Sequence, residues 1–323
     1  MNSNQPLISV KNLKKYYQNN NNYTIKAVDD VSLDIYPGHT LGIVGESGCG
    51  KSTLGRVMLR LVEPTEGEIR YKNTDLRALN KKEMMKMRKE LQIIFQDPFD
   101  SLDGRMTTFE IIAEPLKIHK AYKNKADLEK QVMDMMELVG LPDYTRDLYP
   151  HEMDGGRRQR IGIARALILK PTFVVCDEPV SALDVSIQAQ ILNLLQDLQK
   201  EMNLTYAFIS HNLAVIKHMA DNIAVIYAGQ IVEYASKKQF FAKPMHPYSK
   251  VLLDAIPVPR LKAERKAVPV GEINNYIVWN DECRFANRCP LALEGKCPNK
   301  KPELHEVEPG HFVRCDISLD NKQ

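Results

Sequence analysis

Gly45-Glu46-Ser47-Gly48-Cys49-Gly50-Lys51-Ser52-Thr53 fits the spacing G-x-x-x-x-G-K-S/T, a loop built to hold phosphate. Its three glycines let the backbone curl so that successive N–H groups point inward at phosphate oxygens. Lys51 reaches the β- and γ-phosphates, and the Ser52 hydroxyl can sit on Mg²⁺. The flanks agree with this reading. Residues 40–44, Thr-Leu-Gly-Ile-Val, read as a short buried strand. Residues 52–61 read as a helix with Leu54, Val57, Met58 and Leu61 on one face. The N-terminus of that helix adds its dipole to the phosphate site. A glycine-rich turn that matched by chance would lack this strand and helix.

The chain has 323 residues, room for one large domain and an appendage. A hydrophobic content of 44% with 26% charged residues is that of a globular protein. The net charge of +3 is too small to imply a nucleic-acid partner, and none is expected. The lysine-rich run at 81–89 reads as a solvated helix face. No run of about 18 apolar residues is present, so no membrane-spanning helix is expected. The N-terminus is polar and lacks an apolar signal core, so the chain is expected to stay in the cytoplasm. Two of the six cysteines, Cys49 and Cys176, lie within the nucleotide motifs, and the other four crowd into 283–315. Disulfides are not expected in a reducing compartment, so the crowding needs another account.

Outward from the loop, residues 7–13 and 26–35 read as strands. In the second, Val31, Leu33 and Ile35 alternate with Ser32 and Asp34. Tyr16-Tyr17 follows the first strand, before an asparagine-rich loop. The pair can stack on an adenine or can simply pack at a strand end. Residues 64–67 turn into a strand at 68–71. Residues 91–95 form a buried strand that delivers Gln96 to the sheet edge where ligands bind in parallel sheets. From about 98 to 170 strand signals vanish and helical periodicity takes over, at 108–118, 126–139 and 157–168. This reads as a helical subdomain inserted between two core strands. Within it Asn124-Lys125-Ala126-Asp127 matches a guanine-reading pattern, but at a lysine-rich helix start rather than after a buried strand.

Residues 172–178 form an apolar strand ending in Asp177-Glu178. One acid at a strand tip beside a phosphate loop can hold Mg²⁺, and a second can orient or deprotonate an attacking water. The alternative is a helix-capping acid pair. Ser181-Ala182-Leu183-Asp184 precedes a helix at 187–202. The strand at 205–209 delivers Ser210-His211 to the same sheet edge, where His211 could touch a γ-phosphate. Residues 223–227 and 230–234, joined at Ala228-Gly229, read as a closing hairpin.

In this order the motifs resemble the ATP-binding cassette of ABC transporters, over residues 7 to about 258. The fold that follows is α/β: a P-loop NTPase of the ABC ATPase type, with an antiparallel β subdomain, the inserted helical subdomain and a small cysteine-containing C-terminal extension. The resemblance implies ATP and Mg²⁺ at Gly45, Glu46, Ser47, Gly48, Cys49, Gly50, Lys51, Ser52 and Thr53. Gln96 is similar to the Q-loop glutamine, and Ser52, Gln96 and Asp177 to the Mg²⁺-binding set. Glu178 resembles the catalytic glutamate and His211 the switch histidine. Asp184 closes a D-loop-like segment. Tyr17 resembles the adenine-stacking aromatic, with Tyr16 or Tyr23 as alternatives. The signature departs from the family's Leu-Ser-Gly-Gly-Gln, reading Met153-Asp154-Gly155-Gly156-Arg157. Gly155 and Gly156 can still turn N–H groups to phosphate, and Asp154 can still cap the helix as serine would. Its carboxylate replaces a neutral phosphate ligand.

The tail resembles the ATPase subunits of dipeptide and oligopeptide importers. The resemblance rests on Lys243-Pro244-Met245-His246-Pro247-Tyr248 and on Cys283, Cys289, Cys297 and Cys315. In that group the four cysteines are thought to hold an iron–sulfur cluster. Their chemistry alone allows a 4Fe–4S cluster, a structural zinc or free thiols. The expected layout is an ATP-binding domain at 1–258 and an extension at 259–323. The implied role is the ATP-hydrolysing subunit of an ABC importer for dipeptides or oligopeptides. The implied partners are a second ABC ATPase subunit with an intact signature, two membrane-spanning permease subunits and, indirectly, an extracytoplasmic peptide-binding protein. The implied place is the cytoplasmic face of the membrane. An importer for another solute such as nickel, or a soluble non-transport ABC ATPase, is the alternative.

Overall fold

A computed structural model describes residues 5–18, 24–255, 282–297 and 300–316. The expectations for Tyr23 and for residues 259–281 lie outside these. The strands are β1 (Ile8–Gln18), β2 (Thr24–Ile35), β3 (Thr40–Val44), β4 (Glu66–Tyr71), β5 (Thr74–Asp75), β6 (Leu91–Ile94), β7 (Phe173–Asp177), β8 (Thr205–Ser210), β9 (Asn222–Tyr227), β10 (Gln230–Ser236), β11 (His305–Glu308) and β12 (His311–Val313). The chain divides into two compact units. The first takes Met1–Leu7, Tyr36–His39 and Ala78–Ala207, the second Ile8–Ile35, Thr40–Arg77 and Phe208–Gln323.

In the second unit β2, β1, β4 and β5 make an antiparallel sheet in that order. Val31, Leu33 and Ile35 are buried while Ser32 and Asp34 are exposed, the alternation of a sheet with one wet face. The other strands of this unit belong to a sheet with the order β11, β12, β10, β9, β3. All five residues of β3 are buried, and β3 runs parallel to β9 from Leu41 beside Asn222 to Val44 beside Val225. The β9–β10 hairpin turns at Ala228 and Gly229, with φ of 45° and 82°. Two left-handed residues match the strand twist across a two-residue loop.

The helix after the loop is Lys51–Met58, and Leu54, Val57 and Met58 are buried as expected. Leu61 is 42% exposed, against expectation. Arg60 takes a left-handed φ of 52°, so the chain leaves the helix before Leu61 can join its apolar face. Strand β1 runs on to Gln18, so Tyr16 and Tyr17 pair with Lys26 and Ile25 inside the sheet rather than following the strand. The β11–β12 hairpin was not expected from the sequence.

In the first unit β6 lies parallel to β7, and β8 is the next neighbour of β7. The unit boundary falls inside β8, after Ala207. Between β6 and β7 the chain is helical, at Pro98–Ser101, Thr108–His119, Lys125–Leu138 and Gly155–Leu167. Thr107 and Glu110 form a reciprocal capping box on the second of these. Asn124 accepts the Asp127 N–H at 2.9 Å, so the guanine-like tetrapeptide is a helix cap. Helix Lys81–Met87 buries only Met84, as a solvated face should. Among the described residues no helix is long and apolar enough to cross a membrane.

Candidate functional site

The phosphate loop links β3 to helix Lys51–Met58. Two glycines have no substitute there. A Cβ on Gly45 (φ 157°) would lie 2.2 Å from the Ile226 carbonyl oxygen, and one on Gly50 (φ 105°) 2.0 Å from that of Ala27. Gly50 is also the helix N-cap and supplies no side-chain cap, so no side-chain charge of its own stands at the positive end of the helix dipole. Lys51 is 4% exposed, and its Nζ donates to the carbonyl oxygens of Gly45 and Glu46, each at 2.9 Å. Cys49 is buried against Gly45, and burial pushes its thiol up to about 11, so it packs rather than reacts.

The tail contacts this loop, which the sequence did not reveal. The Glu46 N–H donates to Tyr248 Oη at 2.9 Å. Arg288 places Nη1 and Nη2 on the two Glu46 carboxylate oxygens at 2.8 and 2.9 Å. Phe285 packs against Tyr227, Tyr248 and His246, with ring centroids 5.2, 5.4 and 5.8 Å apart. His246 accepts the Tyr248 N–H on Nδ1 at 3.0 Å and so caps helix Pro247–Asp254. The sequence signal was His246-Pro247-Tyr248, whose proline sits at the first turn where its missing N–H costs nothing. Arg284 reaches Asp29 and the Ala228 carbonyl, and Tyr16 donates its hydroxyl to Asp29. Tyr16 is thereby engaged in the sheet. Tyr17 is 38% exposed, with Lys15 Nζ 4.8 Å from its ring centroid.

In the first unit the buried β7 ends at Asp177, which is 1% exposed. Glu178 follows at φ 46°, in the left-handed region that a non-glycine residue adopts only under local constraint. Gln96 Nε2 donates to Glu178 Oε2 at 3.3 Å, so two expected site residues meet. Asp184 caps helix Val185–Met202 through the Ile187 N–H at 3.0 Å. Asp154 caps helix Gly155–Leu167 through the Arg157 N–H at 2.8 Å, and its other oxygen lies 3.5 Å from Arg157 Nε. In the second unit His211 is exposed just past β8, next to Asn212, which caps the helix that follows.

Cys289 is buried and Cys283, Cys297 and Cys315 are half-buried, and none of the four is in a disulfide. Burial pushes the Cys283 thiol up to about 11, and the nearby thiols of Cys315, Cys289 and Cys297 add to the rise. Among the described residues, however, no group of three or more His, Cys, Asp or Glu side chains is placed to hold a metal ion.

A glycine loop on a helix N-terminus, a buried lysine and an acid pair at a strand tip define a phosphate-loop nucleotide-binding protein. Comparison with known proteins narrows the class. Residues 28–181 match the family described as ABC transporter, and residues 232–297 the oligopeptide/dipeptide transporter C-terminal region. The chain is 48% identical to the putative oligopeptide transport ATP-binding protein YkfD of Bacillus subtilis, over 97% of this chain and 95% of that protein. It is 48% identical to the oligopeptide transport ATP-binding protein OppF of Haemophilus influenzae, over 90% and 89%. The dimeric post-hydrolysis structure of the ATP-binding cassette MJ0796 bound to ADP and Pi superposes with a TM-score of 0.66 at 28% identity, covering 71% of this chain and 98% of that one. The chain belongs to the ATP-binding proteins of ABC transporters, in their oligopeptide/dipeptide transporter group. It is an ATPase of that type, using ATP with Mg²⁺.

Proposed function

We propose that this chain energises the import of dipeptides or oligopeptides. It would work at the cytoplasmic face of the membrane, held by two membrane-spanning permease subunits and served indirectly by an extracytoplasmic peptide-binding protein. The observation that carries the reading is the tail. Its match to the oligopeptide/dipeptide transporter C-terminal region coincides with a docked His246-Pro247-Tyr248 element. In this reading the ATP-binding domain is 1–258 and the extension 259–323. Exposed Phe99, Ile118, Tyr122, Tyr144 and Tyr149 offer apolar surface on the helical insert for a permease segment.

The proposed chemistry follows from the side chains. Lys51 and the loop N–H groups hold the β- and γ-phosphates. Glu178 polarises the water whose oxygen attacks the γ-phosphorus as the bond to the β–γ bridging oxygen breaks. Gln96 restrains one Glu178 oxygen and so orients the carboxylate for that role. His211 would meet the γ-phosphate and Tyr17 the adenine. Ser52, Gln96 and Asp177 supply the hard oxygen donors that Mg²⁺ takes. Mg²⁺, when bound, neutralises phosphate charge.

Cys283, Cys289, Cys297 and Cys315 would hold a 4Fe–4S cluster, with zinc as the alternative. The support for this is the set of four cysteines in the sequence and its likeness to the importer group; the described side chains as placed do not form a metal-holding group. Cluster-loaded protein should be brown, and metal analysis finding zinc without iron would assign zinc instead.

The altered signature supports a heterodimer with a second ABC ATPase subunit. If each ATP lies between one chain's phosphate loop and the other's signature, Asp154, Gly155 and Gly156 face the partner's nucleotide. A carboxylate about 4 Å from one phosphate charge costs roughly 4 kcal/mol at an effective dielectric of about 20. Arg157 offsets part of this. The partner would therefore carry the serine form and complete the active site built on Lys51, Asp177 and Glu178. Peptide uptake by cells, with and without Lys51→Ala, tests the transport role. Uptake that survives Lys51→Ala, or that follows nickel instead, would overturn it.

A further inference from the structure

Two tail side chains converge on one residue of the phosphate loop. Arg288 grips both Glu46 carboxylate oxygens, and Tyr248 accepts the Glu46 N–H. The Glu46 and Gly45 carbonyls in turn hold Lys51. Glu46 is thus joined to the lysine on one side and to the tail on the other. Its side chain is 30% exposed and that of Arg288 only 9%, so the pair is well shielded from screening. A bidentate fork also fixes orientation, which a single point charge does not. The guanidinium carbon lies 5.8 Å from the centroid of the Tyr227 ring.

The charge of Glu46 matters because it stands inside a loop that must accept a polyphosphate. Uncompensated, it would repel the ligand. The segment that compensates it, Arg284 to Arg288, is bracketed by Cys283 and Cys289. Phe285 anchors that segment, and Arg284 ties it to Asp29 and Ala228.

We propose that Arg288 is a positioning residue of the nucleotide site. By neutralising and orienting Glu46 it sets the affinity of the phosphate loop for a nucleoside triphosphate. That affinity therefore depends on whether the Cys283–Cys289 segment is docked. Linkage makes the dependence reciprocal, so bound nucleotide holds the segment down. The inference rests on reading 45–53 as the ATP loop, and the test separates the two.

The test uses the full-length chain with MgATP. Lys51→Ala should abolish measurable binding; normal binding would refute the loop reading and the inference with it. Given that loss, Arg288→Ala should weaken ATP about tenfold, or ~1.4 kcal/mol, seen in KM with kcat within about twofold. Adding Glu46→Gln should recover affinity to within about threefold, because it removes the unpaired charge. A merely structural role for Arg288 would leave the double variant as weak as the single one, and that result overturns the proposal. So does Arg288→Ala that binds ATP normally. Should the variants fold poorly, hydrogen exchange in the unaltered protein decides. MgATP should slow exchange over 284–293 as well as over 45–53, and slowing confined to 45–53 refutes the coupling.

Discussion

Two helices of this protein begin where phosphate is expected, and they begin differently. Helix Lys51–Met58 starts at Gly50, which has no side chain and makes no cap bond. Helix Gly155–Leu167 starts at Asp154, whose carboxylate accepts the Arg157 N–H at 2.8 Å. The first N-terminus brings no charged cap of its own and so leaves its dipole to draw an anion. The second satisfies a donor from within and places a negative charge where the dipole would have drawn an anion. A helix start can therefore be read for function by asking what charge its cap brings. A third case lies between them. Helix Pro247–Asp254 is capped by His246, which burial holds neutral with its pKa near about 4, so it fills the cap without adding charge.

The largest effect should come from the acid beside the first unit's glutamine. Glu178→Gln should leave ATP binding within a few-fold and cut turnover by about 10² or more in the partnered complex. A normal rate would remove Glu178 from the chemistry and leave the comparison resting on charge alone.

Acidification comes next. The unfolded chain protonates His246 near pH 6.5 and the folded chain only near about 4, so the unfolded state binds more protons between these values. Stability should fall as pH drops through that window, by up to about 3 kcal/mol from this group. Glu233, whose carboxyl is held low chiefly by its bond to His311 against the opposing effect of burial, should add to the loss once the pH falls below the ordinary carboxylate range. Urea midpoints measured across the window check this. His246→Asn, which can cap without titrating, should flatten the slope, and an unchanged slope would discard the neutral-cap account.

In the proposed heterodimer, Asp154→Ser should then raise hydrolysis at the site it would face by about tenfold, since half of the repulsion estimated above already exceeds one decade. No rise would mean that Arg157 masks the charge and that the two N-termini differ less than their caps suggest. The smallest effect is on stability. Asp154→Ala should lower it by about 1 kcal/mol through the lost cap, checked by thermal melting.

Much of this was legible in the sequence, because turn chemistry and periodicity are local. The phosphate loop, the alternation at Val31, Leu33 and Ile35, the helix start near Asn124 and the tip at Asp177-Glu178 all carry their meaning within a few residues. Gln96 and Glu178 came together because each ends a strand of the same unit. What stayed hidden is non-local. Glu46 and Arg288 are 242 positions apart, and neither residue type nor spacing marks them as partners. Tyr16 sat in a plausible place for an adenine, but its hydroxyl found Asp29, a contact set by sheet register. The four cysteines were legible as a group, whereas their spatial arrangement depends on a segment with little periodicity.

The pairing of β12 with β10 has a consequence for the chain as a product of synthesis. Strand β10 joins β9 on one side; on the other, Glu233 and Tyr234 meet Val313 and Phe312, and the Arg314 N–H donates to the Val232 carbonyl at 2.8 Å. Buried Ile231 and Val232 lie on it, and His311 Nε2 bonds the fully buried Glu233 at 2.8 Å. Until residues 305–314 are made and docked, β10 is an open, apolar sheet edge with a carboxylate lacking that histidine. Such an edge recruits strands from other molecules. The nascent chain is therefore vulnerable to self-association until its tail arrives, and a version cut back to the nucleotide-binding cassette would keep that vulnerability for life.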